Sequence, residues 1–244
     1  FKSGLPVEGH VEKEIKGGFE VKIGASRAFC PYSQMGYKNR LEPAEYVGRT
    51  LTFVISEFKN DGKDIIVSNR RFEEQKENDK IKAAREAVAA DPTNAEKYMA
   101  LGLALRGQMF FREALEAYSI GLTYDPFMSL LYRHRGHAYV NLGQYQEAAA
   151  DFEMGLRIDP KNWDCWYHLG LSYHLMGSYE RALKAYETCY ALSPTDEFRI
   201  CTTDWYCMTL MKMGRIDDMR KAAARIHADM EPGMSEGYFD RVLV

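Results

Sequence analysis

The chain has 244 residues, 46% hydrophobic and 27% charged, which excludes a disordered chain and fits one large or two small folded domains. A formal net charge of -3 with a pI near 6.1 excludes a globally cationic nucleic-acid binder, so any such contact needs a local basic surface. Five cysteines without a C-x-x-C pair exclude a disulfide framework or zinc knuckle and point to reduced thiols in the cytoplasm.

Residues 1–72 read as β-structure. Apolar side chains alternate at Phe19, Val21 and Ile23 and again at Leu51, Phe53 and Ile55, the period of a strand with one buried face. Two strands flank Gly17-Gly18, a third runs through Ala28 to Pro31, and a hairpin turns at Asn60-Asp61-Gly62. Five short strands in so short a segment predict a small closed barrel with Phe19 in its core and Glu20 and Lys22 facing outward. Three segments in order, Lys16 to Phe19 (K-G-G-F), Ala28 to Pro31 (A-F-x-P) and Val67 to Arg71 (V-S-x-R-R), resemble the S1 domain, an oligonucleotide-binding fold, in the variants found within bacterial ribosomal protein S1. The resemblance covers about Leu5 to Phe72. It implies stacking of unpaired bases on exposed aromatics while Lys and Arg track the phosphates of single-stranded RNA. The residues it nominates are Lys16, Lys22, Phe29, Tyr32, Lys63, Arg70 and Arg71. Phe29 qualifies because alternation sets it opposite apolar Cys30, and Tyr32 because it falls where the third strand ends. Pro31 and Lys59 depart from the family, which often has a histidine and an aspartate there.

Residues 73–90 lose the alternation and are rich in strong helix formers up to Asp91-Pro92, which predicts a charged helical connector, with a flexible linker as the alternative.

From there the chain repeats. Pro126, Pro160 and Pro194 fall 34 residues apart, giving units 91–126, 127–160 and 161–194. Within each, a large residue precedes Gly by four (Tyr98 and Gly102, Tyr132 and Gly136, Trp166 and Gly170), Ala follows Gly by twelve (Ala114, Ala148, Ala182), and an aromatic stands four further on (Tyr118, Phe152, Tyr186). Small residues let two antiparallel helices approach, aromatics fill the remaining space, and proline ends the second helix. From about Ala95 to Pro194 this resembles the tetratricopeptide repeat family. Arg135 stands where that family commonly has Leu, and Gly121, Gly155 and Cys189 where it commonly has Ala. Residues 195–244 carry a fainter echo at Gly214, Ile216, Met219 and Ala223, as a degenerate or capping unit would. The expected fold class is therefore multidomain β + α: a five-stranded OB-fold barrel followed by an all-α helical solenoid.

The resemblance implies a concave groove lined by the first helix of each unit: Met99, Leu103 and Arg106, then Arg133, His137, Val140 and Asn141, then Tyr167, Leu171 and His174. The partner-binding candidates are Arg106, Arg133, His137, Asn141, Tyr167 and His174. Of these Arg133, His137 and Tyr167 are expected to converge on an acidic or aromatic segment. The family's clamp for C-terminal carboxylates is not expected, because Met99, Leu103 and Leu171 replace its Lys and Asn. His134 and His137 lie one turn apart, but no acidic or cysteine partner completes a metal set, and no metal or other cofactor is expected.

No phosphate-binding loop, dinucleotide fingerprint, G-x-S-x-G elbow or metalloprotease helix occurs, and paired carboxylates such as Glu73-Glu74 fall in the connector, so neither catalysis nor a small-molecule substrate is expected. No apolar run approaches the roughly 18 residues of a membrane span, and no signal sequence opens the chain. Its start at Phe1 and its end at Val244, without a polar tail, suggest a trimmed piece of a longer protein. The function expected is an RNA-binding adaptor in translation or RNA turnover, with RNA or a ribosome at residues 1–72 and a protein or peptide in the groove. The alternatives are a protein-interaction scaffold, docking on a ribosome, whose barrel binds no free RNA, and an artificial joining of the two modules.

Overall fold

The computed structural model describes residues 4–38, 40–59 and 64–243. The chain divides into two compact units at Ala83/Ala84.

In the first unit, β1 (Pro6–Ile15), β2 (Gly18–Ile23), β3 (Ser26–Pro31), β4 (Thr50–Lys59) and β5 (Asp64–Ser68) close into a barrel in the order β1-β2-β3-β5-β4. Every neighbouring pair is antiparallel except β3 and β5. The two glycines of K-G-G-F have separate causes. Gly17 turns the chain at φ +91, a left-handed conformation that side chains disfavour. Gly18 lies so close to β3 that a Cβ there would stand 2.2 Å from the Cys30 carbonyl oxygen. The alternating set Phe19, Val21 and Ile23 fills the barrel with Val11, Ala28, Cys30, Phe53, Ile55, Ile65 and Val67. Met35 and Tyr46, the latter on the short helix α1 (Pro43–Tyr46), complete this cluster, with the Tyr46 ring edge-on to Phe19. The hairpin predicted at Asn60-Asp61-Gly62 lies outside the described residues.

Helix α2 (Asn69–Ala90) begins directly after β5, so residues 69–72, read from sequence as the end of the barrel, are its first turn. Buried Asn69 anchors that turn: its carbonyl oxygen accepts from the Gly36 N–H (3.1 Å) and its amide donates to the Thr52 carbonyl (2.9 Å). The exposed stretch that follows is laced by Arg70–Glu74, Lys76–Glu73 and Lys80–Glu77 pairs, each worth a few tenths of a kcal/mol.

The second unit stacks helix pairs: α3 (Ala95–Gly107) with α4 (Phe111–Tyr124), α5 (Ser129–Asn141) with α6 (Tyr145–Ile158), α7 (Trp163–Leu175) with α8 (Tyr179–Leu192), and α9 (Asp196–Lys212) with α10 (Ile216–Ala223). Asn94 and Asn162 cap α3 and α7, their side-chain oxygens accepting from first-turn N–H groups. The packing explains the repeated residues. A Cβ on Gly102, Gly136 or Gly170 would fall 2.2, 2.8 or 2.5 Å from the ring of Tyr118, Phe152 or Tyr186, each wholly buried. Glycine on the first helix and the aromatic 16 residues later are thus one lock. In the fourth unit the turn into α10 falls 37 residues after its counterpart, so the buried Cys207 and Ala223 occupy these two positions, the lock is missing, and α10 is only 8 residues long where its counterparts have 14. A last helix, α11 (Glu236–Val242), follows.

Arg135, the departure from the family's Leu, is compensated within its own unit. It forks onto buried Asp151 of α6, Nε to Oδ2 at 2.7 Å and Nη2 to Oδ1 at 2.6 Å, and donates to Ser119 Oγ at 3.1 Å.

Candidate functional site

The first helices α3, α5 and α7 bring Arg106, Arg133, His137, Asp164 and His168 together. Asp164 is the hub. Its Oδ2 accepts from Arg133 Nε at 2.5 Å and faces His137 Nε2 at 2.8 Å. The other nitrogen of His137, Nδ1, lies 3.1 Å from Arg106 Nη1. A guanidinium can only donate, so Nδ1 accepts and the imidazole carries its proton on Nε2, aimed at the carboxylate. His168 stacks against His137 with centroids 4.0 Å apart, and its Nδ1 lies 3.0 Å from the Asp164 carbonyl, which can only accept. A chain of donors thus runs Arg106 to His137 to Asp164, with Arg133 joining from the side.

Burial opposes ionisation of Asp164, yet the hydrogen bonds from His137 and Arg133 hold its carboxyl well below the usual carboxylate range. The two flanking histidines are held neutral. Burial, with the nearby Arg106, Arg133 and His137, brings His134 down to about 4, and burial beside His137 does the same to His168. His134 packs on Tyr118, and its Nδ1 is buried without a hydrogen-bond partner among the described residues.

Ligand atoms of His137, Asp164 and His168 lie within 4.8 Å of one another, close enough to surround a cation. Two guanidiniums already donate into this space and His137 presents an N–H toward the carboxylate, so the arrangement as it stands is complementary to negative charge. The expectation that His137 lacks an acidic neighbour is corrected: Asp164 of the next unit supplies it.

The other groove candidates separate. Tyr167 stacks on Trp163 (5.0 Å) and meets His168 edge-on (5.1 Å), at the margin of the cluster. Asn141 is exposed, its amide donating to the His137 carbonyl within the same helix. His174 leaves the solvent-facing surface altogether: it is buried, its Nδ1 lies 2.8 Å from Thr209 Oγ1, and the rings of Trp205 and Tyr179 pack on it. Asp164 and His168 were not among the predicted site residues. The signal available for Asp164 was its place three residues before Tyr167, one turn earlier on the same face.

On the barrel, Phe29 is half-buried on the outer face of β3, paired in register with Glu20, while Lys22 pairs with Arg27. The cations of this face have acidic partners: Glu20 meets Lys13 and Arg27, and Glu12 meets Lys22. Tyr32 is partly exposed and donates its hydroxyl to Glu14. Lys16 is exposed in the Gly17 turn, and Arg70 and Arg71 sit exposed on the first turn of α2, not on a strand. Lys63 lies outside the described residues.

Residues 136–177 and 163–196 match family models described as TPR repeat and tetratricopeptide repeat. Residues 136–196 carry tetratricopeptide repeats. Comparison with curated proteins finds no match. Among solved structures the chain is similar to MamA (23% identity, 67% of this chain and 84% of that one, TM-score 0.55) and to MamA from Desulfovibrio magneticus RS-1 (17%, 61% and 82%, 0.57), likenesses that speak to the fold. It is also similar to YrrB, a TPR protein with an unusual peptide-binding site (25% identity, 58% and 72%, TM-score 0.52). Neither family model extends to the barrel. Among the described residues no helix is long and apolar enough to cross a membrane.

Proposed function

We propose that this chain is a non-catalytic adaptor whose repeat groove binds a protein segment presenting an acidic side chain to Arg106, which His137 holds in place, and to Arg133. One observation carries the reading: Arg133 and His137 of α5 donate to the Asp164 carboxylate and Arg106 of α3 donates to His137, so two guanidiniums meet a single carboxylate, and the helix-packing lock requires none of them. A partner carboxylate at Arg106 completes the balance of two guanidiniums against one aspartate. The likeness to YrrB supports a peptide as the ligand. Selection from a random peptide library on the full chain is expected to enrich Asp and Glu. Arg106→Ala should then weaken the selected peptide about tenfold, the usual loss of one charge-assisted hydrogen bond. Selection without acidic enrichment, or unchanged affinity in a folded Arg106→Ala chain, sinks this reading.

The outward placement of Phe29 beside Arg27 and Lys22 favours a second reading. We read the barrel as an S1-type oligonucleotide-binding fold that holds single-stranded RNA weakly, because Glu12 and Glu20 offset much of the basic charge on its face. A labelled unstructured RNA titrated with the full chain at low salt should bind at micromolar concentration and weaken as salt rises. Phe29→Ala should cost about 1–3 kcal/mol of that affinity while the barrel stays folded. Absence of binding at low salt leaves the barrel as a scaffold element.

A further inference from the structure

Beyond α10 the chain returns to the first helix of its own fourth unit. The 37-residue offset of the fourth unit makes Cys201 the counterpart of Asp164, Asp204 that of Tyr167, Met208 that of Leu171, and Met211 that of His174. These positions carry the concave face into the fourth unit, and residues 233–242 lie against them. Ser235 hydrogen-bonds the Cys201 thiol, and the Tyr238 hydroxyl meets that of Tyr167 on α7. Arg241 forks onto Asp204, Nε to Oδ1 at 3.1 Å and Nη2 to Oδ2 at 2.8 Å. Gly233 passes so near Glu197 that a Cβ would stand 2.8 Å from its carboxylate. A helix continuing the solenoid would instead pack mainly on α10, as α5, α7 and α9 pack on the second helix of the unit before them; α11 packs chiefly on α9.

We propose that residues 233–242 are an intramolecular occupant of the fourth-unit end of the groove. The partner taken there is a short helix that replaces them and presents an aromatic residue and an arginine one turn apart, as Tyr238 and Arg241 do. This rests on the reading of the groove as a partner-binding surface. The arginine is required because Asp204 is only 2% exposed, and a buried carboxylate stripped of its cation is strongly unfavourable. The occupant is suited to leave: α11 has 7 residues, too few to be stable alone, and Val242 is its one fully buried side chain. Beside it a cavity of about 650 Å³, lined by Trp205, Met208, Met211 and Met219 among others, offers a deformable apolar wall for a bulkier aromatic residue.

The test uses the full chain and, as probe, a fluorescein-labelled peptide of residues 231–244. A Tyr238→Ala/Arg241→Ala chain, freed of its own occupant, is expected to bind this peptide at least tenfold tighter than the wild-type chain. A peptide carrying Arg241→Ala should lose at least tenfold in return. A folded double variant that binds the peptide no better than wild type overturns the proposal. Should the double variant lose its helical circular dichroism, the Arg241→Ala chain is read by the same criterion. Unfolding of that chain also overturns the proposal, because a segment the array cannot stand without is not replaceable. Arg106→Ala should leave the binding of this peptide unchanged. Failure here with acidic-peptide capture intact therefore removes the occupant and spares the groove, whereas loss of acidic-peptide capture removes the groove reading itself.

Discussion

Acidification from pH 7 to pH 4 is expected to weaken the repeat array by about 2–5 kcal/mol, through two histidines that fold in their neutral form. His134 and His168 sit among Arg106, Arg133 and His137, with Asp164 as the one opposing charge, and in the folded state both titrate near 4. In the unfolded chain a histidine titrates near 6.5. Above that value both states are neutral and the stability is fully present. Between about 6.5 and 4 only the unfolded chain takes up the protons, so stability falls; below about 4 the histidines add no further slope. Asp164 acts in a lower window. Its folded carboxyl is held below the ordinary range, so its contribution is intact above the unfolded value near 3.9 and disappears as pH falls toward the folded one. The two shifts in full would give about 6 kcal/mol at pH 4, and less is expected because His134 is only partly buried and solvent screens its neighbours. Thermal melts followed by helical circular dichroism should show the loss between pH 6.5 and 4, and a His134→Leu/His168→Leu chain should show a much flatter profile there. A wild-type profile flat across that window, or a slope unchanged in the variant, would place the acid sensitivity elsewhere.

The same residues show where the sequence speaks and where it is silent. The barrel was legible because each strand buries one face, so Phe19, Val21 and Ile23 announce themselves by alternation. The array was legible because the lock between Gly136 and Phe152 recurs one unit earlier and one unit later, and a period of 34 has few physical sources. Asp164 was not legible. It is the second residue of α7, where an acidic side chain already has a local reason to stand beside the positive end of the helix. Its role depends on Arg133 and His137 of the preceding unit, which only the stacking of α5 and α7 brings near. His174 was read as a groove residue because its partners, Trp205 and Thr209, belong to the unit whose pattern has decayed. The returning helix α11 gave no signal, since seven residues are too few to display a period. Arg135 was recognised as a departure, but its partner could have been found: Gly136 meets Phe152 at an offset of 16 residues, and the same offset carries Arg135 to Asp151.

That pair supplies the other large effect. Asp151→Ala is expected to destabilise the array by about 3–5 kcal/mol, because it leaves the half-buried Arg135 guanidinium without its carboxylate. Ser119 accepts one of its N–H groups but cannot neutralise the charge. The effect should spread, since the second unit holds the first and third together and a solenoid is stabilised by nearest-neighbour interfaces. The mutant melt is therefore expected to broaden as the units uncouple. Arg135→Leu/Asp151→Leu should behave oppositely. It removes both charges, avoids the desolvation penalty of the ion pair and restores at position 135 the residue type the repeat commonly carries, so its stability should lie near or above that of wild type. Denaturant unfolding of the wild type, Arg135→Leu, Asp151→Ala and the double variant reads this directly. If the double variant is as unstable as Asp151→Ala, the cost lies in the packing of α5 against α6 and the ion pair is incidental. If it recovers, Arg135 and Asp151 are a matched substitution within one repeat, tolerated because both partners lie in the same helix pair and move together.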